Sequence, residues 1–416
     1  MGTNGLNISE ILKDYNDLKK LGLKLDMSRG KPSAEQLDLS NPMLHTLDDN
    51  NFISENGMDV RNYGEFKGIP EARRLFAEIF DMPFEQVICG GSSSINMLSD
   101  ALKRCYLNGA MPGFTPWTKY DKVKFICPVP GYDWHFHICD TLGIEMIPVE
   151  THEDGPDMDT VEKLVKDPDV RGMICVPMYS NPSGITYSDE TVERLAMMQT
   201  SAADFRLIWD NAYCMHHLYD DKRDSLANIY KACERHGTED RVLMFTSTSK
   251  ITFAGSGICA MAASPANIEH AANLIRYQLV CYDKVNQLRH TRFLPDKRAV
   301  EEHMKKHAAI VRPKFNCVLE ALERELGGLG IAKWSKPNGG YFICFEAQKG
   351  CAKNIVRLCE EAGVKLTPAG APFPHSDDPN DSIIRLAPTY PPMDELEAAM
   401  KIFTTVVKLV AAENVQ

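Results

Sequence analysis

Between residues 70 and 295, short apolar segments alternate with segments of helical periodicity, and this alternation restricts the fold more than any other feature of the chain. The apolar segments, which we interpret as strands, are residues 86–89, 123–127, 145–149, 172–176, 206–209 and 242–245. The helical segments between them include residues 70–79, 96–105, 159–165 and 188–198. Strands that alternate with helices predict a mostly parallel sheet covered on both faces, and therefore an α/β fold.

The pattern changes after residue 295, which predicts a second domain. A long helical stretch, residues 296–326, is followed by the strand-like segments GGYFICFE and SIIRLA and by a last helix from Met393. Residues 7–22 have the pattern of an amphipathic helix whose apolar face needs a partner. We therefore predict three parts: an N-terminal arm (residues 1–45) that joins the small domain, a large domain (46–295) and a small C-terminal α+β domain (296–416).

Composition and charge exclude several classes of protein. The 416 residues are 44% hydrophobic and 25% charged, which is typical of a soluble globular protein, and the net charge of −11 disfavours nucleic acid or anionic membrane as a partner. The 13 cysteines contain no C-x-x-C pair, which favours a reducing compartment over a disulfide framework or a zinc site. We see no secretory signal and no membrane-spanning apolar run, so we expect a cytoplasmic protein without a bound metal.

A turn of glycines and serines follows the first predicted strand. Gly90, Gly91, Ser92, Ser93 and Ser94 precede a helix, and free backbone N–H groups at a helix N-terminus favour an anion such as phosphate. The alternative is a serine N-cap after a tight turn, without any ligand. Because no G-K-[ST] follows, the turn is not a Walker loop.

Two charged residues stand at the ends of later strands. Asp210 ends the segment LIWD, with Tyr213 three residues on, and a carboxylate at a buried strand end needs a proton donor or a cation unless it is a helix N-cap. Lys250 follows VLMF and a cluster of small hydroxyl residues, where a lysine either reaches water or is held for chemistry. Between the Gly/Ser turn and Asp210 lie P-G-Y (130–132) and the turn sequence N-P-x-G (181–184).

The order of these motifs is more informative than any one of them. Each lies at the end of a predicted strand, and ligands bind at the carboxyl ends of the strands of an open parallel sheet. A phosphate loop, an aromatic side chain, a buried carboxylate and a strand-end lysine together predict a pocket for an aromatic, phosphorylated aldehyde held by a lysine imine.

In this order the motifs resemble those of the class I aminotransferases of fold type I, which depend on pyridoxal 5'-phosphate (PLP). The resemblance extends from SRGKPS (28–33) to IIRLAP (383–388). NYGEFKGIPEAR, STSKITFAGSG and WSKPNGGYF are similar to segments of the MocR-like aspartate aminotransferases. The resemblance implies PLP as cofactor, amino-acid and 2-oxo-acid substrates, a homodimer, and ping-pong transfer of the amino group from L-aspartate to 2-oxoglutarate.

The resemblance also implies roles for individual residues. The catalytic residues would be Lys250, which forms the imine and then moves a proton, Asp210, which keeps the pyridine nitrogen protonated, and Tyr213. The cofactor-binding residues would be Ser92, Ser93, Ser94 and Ser247 at the phosphate, Tyr132 (or Trp134) on the ring face, Asn181 and Tyr213 at the ring oxygen, and Tyr63 at the phosphate of the neighbouring subunit. Arg385 would clamp the substrate α-carboxylate, beside Asn181 and the loop of Gly30.

The motifs leave two expected cations unassigned: one at the cofactor phosphate and one at the distal carboxylate of the substrate. An arginine against the phosphate usually follows the lysine in this family, but Ile258 and Cys259 stand where it would fall, so Ser256 or a residue from elsewhere has to compensate. The distal carboxylate of aspartate also needs a cation. Its candidates are Arg29, Lys31, Lys284, Arg289 and Arg292, and their alternative roles are surface charge or phosphate binding.

Other interpretations stay open at this point. The same scaffold would suit an aminotransferase for another amino acid or a PLP-dependent lyase. A non-catalytic PLP sensor, like the aminotransferase-like half of MocR regulators, is disfavoured because it needs a DNA-binding domain. The net charge of −11 disfavours nucleic acid as a partner. His135 and His137 alternate as in a strand, where they could reach a metal, but no third ligand follows at a usual spacing, and His135 could instead lie near the ring. We interpret His216 and His217 as loop or packing residues.

Overall fold

The computed structural model describes residues 6–48 and 50–414. The helices are α1 (Ile8–Lys20), α2 (Ala34–Asp38), α3 (Pro70–Phe80), α4 (Ser94–Asn108), α5 (Asp133–Leu142), α6 (Met158–Leu164), α7 (Asp189–Met197), α8 (Ile229–His236), α9 (Pro265–Leu279), α10 (Lys284–Phe293), α11 (Lys297–Leu326), α12 (Ala352–Glu361) and α13 (Met393–Asn414). The strands are β1 (Leu25–Asp26), β2 (Val87–Cys89), β3 (Lys124–Val129), β4 (Glu145–His152), β5 (Gly155–Pro156), β6 (Val170–Cys175), β7 (Arg206–Asp210), β8 (Val242–Ser247), β9 (Cys259–Ala263), β10 (Ala332–Trp334), β11 (Ile343–Ala347), β12 (Val364–Lys365) and β13 (Ile383–Leu386).

The large sheet has the strand order β2-β9-β8-β7-β6-β3-β4-β5. Neighbouring strands from β8 to β4 are parallel, whereas β9 is antiparallel to both of its neighbours and β5 is antiparallel to β4. This arrangement confirms the predicted α/β fold with a mostly parallel sheet. The carboxyl ends of β7 and β8 are adjacent, and these are the ends that present Asp210 and the turn to Lys250.

Helices cover both faces of this sheet, which explains why its central strands β6, β7 and β8 are buried along their whole length. In β8, Val242 and Met244 face one core, while Leu243 and Phe245 face the other. All six residues of β8 are buried, because a parallel strand between two layers of helices has no face in water.

A smaller antiparallel sheet, β10-β11-β13, packs with α11, α12 and α13 into a second core. Helix α1 contributes Tyr15 and Leu18 to this core and packs against α13, while β1 pairs with β12. The Asn7 side chain caps α1 by accepting from the Glu10 N–H. The domain limits at residues 45 and 295 stay a prediction, and the separation of the two cores supports them.

The prediction that His135 and His137 alternate along a strand is wrong, because both lie on α5. The helix begins directly after the P-G-Y turn, has Asp133 in its first turn and ends at Gly143, which adopts the left-handed conformation (φ +68°). A segment this short does not distinguish strand from helix periodicity, so these helix end residues were the better indication.

Among the residues described, no helix has both the length and the hydropathy that a membrane span requires.

Candidate active site

A cleft of about 770 Å³ lies where the carboxyl ends of the large sheet face the small domain and the N-terminal loop. Its lining includes six of the twelve site residues expected from the sequence: Gly30, Tyr132, Asn181, Tyr213, Lys250 and Arg385. These residues are up to 355 positions apart in the chain (385 − 30), and the tertiary structure brings them to one cavity. A cleft of this size suits a small ligand that carries a few polar groups.

Lys250 follows the last residue of β8 by a short turn and extends into the cleft. Its Nζ lies 5.0 Å from the ring centroid of Tyr213 and 6.0 Å from that of Tyr341. Burial lowers the pKa of Lys250, although the nearby Asp210 carboxylate acts in the opposite direction. The neutral amine is therefore favoured more than in an exposed lysine, as a nucleophile or proton acceptor requires.

Asp210, the last residue of β7, does not line the cleft and has only 2% of its surface exposed. Its Oδ2 is 3.0 Å from Nε2 of His135, and its Oδ1 is buried without a partner among the residues described. An unpartnered buried carboxylate oxygen costs free energy, so this atom is ready to accept a hydrogen bond from a ligand.

Two neighbouring side chains also have unused or neutral polar groups. The Nδ2 of Asn181 is buried without a partner in the described part of the chain. Burial, together with the nearby Asp210 carboxylate, raises the pKa of Tyr213 well above its usual value, so the phenol stays a hydrogen-bond donor. Tyr132 packs edge-on against His135 with ring centroids 5.0 Å apart, whereas Trp134 is 57% exposed at the rim.

Arg385 projects from β13 into the opposite side of the cleft and is 7% exposed. Its Nη1 donates to Oδ1 of Asp133 at 3.0 Å and to Oδ1 of Asn181 at 3.2 Å. The guanidinium carbon lies 5.0 Å from the ring centroid of Phe342. Gly30 packs so closely on this ring that a Cβ atom would overlap it, which explains why glycine suits this loop position.

The predicted phosphate turn adopts the expected geometry at the N-terminus of α4. Ser93 is the N-cap and its Oγ accepts from the Asn96 N–H at 3.4 Å, so the N-cap alternative also holds. Ser247 Oγ donates to Ser249 Oγ, and Ser249 Oγ donates to the Ser92 carbonyl, both at 3.1 Å. These bonds bring the end of β8 against the turn, where Ser92 is exposed and Ser94 is buried.

Of Tyr63 and the candidate cations for the distal carboxylate, two line this cleft in the single chain and the others do not. Tyr63 is 77% exposed and does not line it, so its role at a neighbouring subunit stays a prediction. Arg29 and Lys31 line the cleft, and Lys31 Nζ lies 3.7 Å from the ring centroid of Tyr390. By contrast, Arg292 donates to the carbonyls of Thr46 and Asn51, and Lys284 is buried outside the cleft lining.

The sequence analysis missed residues that hold the site together. Tyr341 Oη and His216 Nε2 each lie 3.4 Å from the Lys250 carbonyl oxygen. Burial lowers the pKa of His216 to about 3, so the ring is neutral. Tyr341 belongs to GGYF, which we interpreted as part of a strand and of a family-like segment without a role for the tyrosine, and Asp133 directly follows P-G-Y. Within residues 6–48 and 50–414, no three His, Cys, Asp or Glu side chains are arranged to hold a metal ion.

Comparison with known proteins agrees with this geometry. A family described as aspartate amino-transferase matches residues 6–416. An aspartate aminotransferase from Corynebacterium glutamicum is 44% identical over 410 residues, which cover 99% of this chain and 95% of the relative. A crystal structure of an aspartate transaminase from the same species superposes with a TM-score of 0.96 at 44% identity, covering 99% of this chain and 97% of that chain.

A more distant solved structure shares the fold alone. The α-aminoadipate aminotransferase of Thermus thermophilus, complexed with N-(5'-phosphopyridoxyl)-L-leucine, has a TM-score of 0.77 at 19% identity and covers 99% of this chain and 96% of that chain. The family resemblance predicted from the motifs is thereby confirmed. The chain belongs to the aspartate aminotransferase family and is an aminotransferase enzyme of fold type I.

Proposed function

We propose that this aminotransferase binds pyridoxal 5'-phosphate in the cleft and transfers the amino group of L-aspartate to 2-oxoglutarate. The observation that best supports the cofactor is the buried, unpartnered Oδ1 of Asp210 below a lysine whose pKa burial lowers. A protonated pyridine nitrogen is the kind of donor that this oxygen lacks.

The residues of the cleft fit this cofactor at each of its groups. Asp210 would accept from the ring nitrogen, while Asn181 Nδ2 and the Tyr213 hydroxyl would donate to the ring oxygen. Tyr132 would cover one ring face. The phosphate would take donors from Ser92, Ser93, Ser94 and Ser247. When bound, the cofactor supplies an aldehyde that receives the amino group and a cationic ring that accepts electron density.

The chain's own residues then provide proton transfer and orientation. The Nζ of Lys250, favoured in its neutral form, can take up a proton in the cleft and return it. His135 holds Oδ2 of Asp210, which leaves Oδ1 directed at its ligand. The backbone of Lys250 is fixed by Tyr341 and His216, so its amine is positioned before substrate enters.

Substrate binding rests on Arg385, whose fork of N–H donors suits a carboxylate. A dicarboxylic amino acid brings a second carboxylate, which in a site without water needs a second cation. Among the described cleft-lining residues, Arg29, Lys31 and Lys365 are the cations available beside Lys250 and Arg385. This excess of positive charge and the name of the Corynebacterium glutamicum relative support L-aspartate as the donor.

The assembly and location are also part of the proposal. An exposed tyrosine at position 63 supports a homodimer in which this side chain reaches the partner's phosphate. All 13 cysteines are free, nine of them buried and four partly buried, which supports a reducing compartment such as the cytoplasm.

The test adds amino acids one at a time to the purified protein and follows its visible absorbance. Borohydride treatment followed by peptide mass mapping should find the phosphopyridoxyl group on Lys250. L-Aspartate and L-glutamate should convert the cofactor spectrum faster than L-alanine or L-phenylalanine, with oxaloacetate and 2-oxoglutarate as the products. Faster conversion by alanine or an aromatic amino acid would restrict the proposal to a general aminotransferase, and product formation without a 2-oxo acid would indicate a lyase.

A further inference from the structure

The phosphate cradle, which we define as residues 90–94 with Ser247 and Ser249, contains hydroxyl and N–H donors but no cationic side chain. Ile258 is buried in the core, and the thiol of Cys259 is directed at the Gly90 carbonyl. A phosphate ester carries a charge of about −1.5 to −2 near neutral pH. Hydroxyl and N–H donors alone can bind such an anion, but a cation within reach adds charge-assisted hydrogen bonds and offsets its charge.

Helix α10 brings a cation to the edge of this cradle. Asn286 Nδ2 donates to the carbonyls of Ser256 and Gly257 at 3.2 and 3.0 Å, which fixes α10 on this loop. Arg289 Nη2, one turn further on, donates to Ser256 Oγ at 3.1 Å. Gly257 itself touches the cradle, because a Cβ atom there would lie 2.9 Å from the Ser92 carbonyl oxygen. Arg289 is therefore bonded to Ser256, and the next residue, Gly257, lies against the cradle.

The guanidinium of Arg289 has donors to spare. Its Nε is buried without a partner among the residues described. Its Nη2 is shared between Ser256 Oγ and Asn286 Oδ1, at 3.1 and 2.5 Å. A guanidinium has five N–H donors in a planar fork, and an unpaired buried donor costs free energy. Arg292, on the same helix, instead donates to three backbone carbonyls outside the cradle.

We infer that Arg289 is the cation that binds the cofactor phosphate in this protein. The residue comes from α10 rather than from the segment after the catalytic lysine, and the absence of an arginine at Ile258 and Cys259 is thereby compensated. The role of Arg289 rests on the proposed function, since it requires that PLP occupies the cleft. It also removes Arg289 from the candidates for the distal carboxylate.

The experiment separates the phosphate from the rest of the cofactor. Full-length protein stripped of cofactor is titrated with PLP and, separately, with pyridoxal, which lacks the phosphate. Arg289→Ala should raise the Kd for PLP by roughly 10- to 100-fold, the effect of a lost charged hydrogen bond, and leave the Kd for pyridoxal unchanged. Arg289→Lys should recover part of the affinity for PLP, because it restores the charge but not the fork.

Arg292→Ala is the matched control, and its affinity for both ligands should equal that of the wild type. Wild-type affinity of Arg289→Ala for PLP would overturn the inference and leave the proposed function intact. An equal loss of PLP and pyridoxal binding would overturn it too, because the residue would then be structural. Failure of the wild type to bind either ligand would instead overturn the proposed function, and the inference with it.

Discussion

Asp210 and His135 form a buried pair in which Oδ2 of the carboxylate lies 3.0 Å from Nε2 of the imidazole. Both side chains are nearly inaccessible, with 2% of each residue exposed. The pair occupies one carboxylate oxygen and leaves the other without a partner among the described residues, so His135 determines which oxygen is available to a ligand.

Asp210→Asn should slow the half-reaction with L-aspartate by about 100-fold or more, because an amide carries no charge to keep the ring nitrogen protonated. His135→Ala should have a smaller effect, since the Asp210 carboxylate keeps its charge and loses only the contact that orients it. Stopped-flow absorbance of the cofactor measures both rates in a single turnover. A near-normal rate for Asp210→Asn would mean that another acid holds the ring nitrogen.

Asp133→Asn should lower the KM for L-aspartate by roughly 2- to 10-fold. The Asp133 carboxylate is paired with Arg385 at 3.0 Å and so competes with the substrate carboxylate for the guanidinium. Asparagine keeps the accepting oxygen but removes the charge, so Arg385 keeps its position and attracts an anion more strongly.

Steady-state kinetics of Asp133→Asn and Asp133→Ala separate these two contributions. The alanine variant should show a smaller decrease in the KM for L-aspartate, because Arg385 is no longer held in place. A higher KM in Asp133→Asn would show that the negative charge assists substrate binding rather than competing with it.

Lys250→Met should raise the thermal unfolding midpoint of the cofactor-free protein at pH 7. Burial lowers the pKa of Lys250 in the folded state, whereas the unfolded chain keeps a value near 10.5. The unfolded chain therefore binds more protons between the two values, and the wild type gains stability as the pH rises through this window. The difference in unfolding midpoint between Lys250→Met and the wild type should shrink as the pH approaches 10.5. Lys24→Met, at an exposed position, should show no such pH-dependent advantage.

Acid should destabilise the folded protein through its buried histidines. Burial and the neighbouring His303 lower the pKa of His307 to about 3, while the unfolded value is near 6.5. Between these values the unfolded chain binds one more proton at this site, so stability falls as the pH falls from 6.5 towards 3. At pH 5 this one residue accounts for a loss of about 2 kcal/mol.

His307→Gln should therefore reduce the loss of unfolding free energy between pH 7 and pH 5 by about that amount, as measured by urea denaturation. His45→Gln, at an exposed position, should leave the pH dependence as it is in the wild type. An unchanged pH dependence in His307→Gln would mean that the histidine takes up its proton in the folded state.

The α/β fold could be predicted from the sequence because apolar runs of strand length alternate with helical periodicity along most of the chain. The order of the strand-end motifs was also sufficient to identify the family, and it placed Asp210 and Lys250 at the ends of strands that prove to be neighbours. The sequence-based prediction was wrong at α5. We interpreted the alternation of His135 and His137 as a strand, although the turn before the segment and the glycine after it indicated a helix.

Only the tertiary structure decided which distant side chains meet. Asp133 and Arg385 are 252 residues apart and bond at 3.0 Å, and no spacing in the chain indicates that contact. Arg289 and Arg292 are equivalent cations in sequence, yet one bonds to Ser256 beside the phosphate turn and the other to backbone carbonyls. Short-range periodicity determines secondary structure because it reflects which face is buried. The partners of a polar side chain depend instead on how the two cores pack, which one sequence does not reveal.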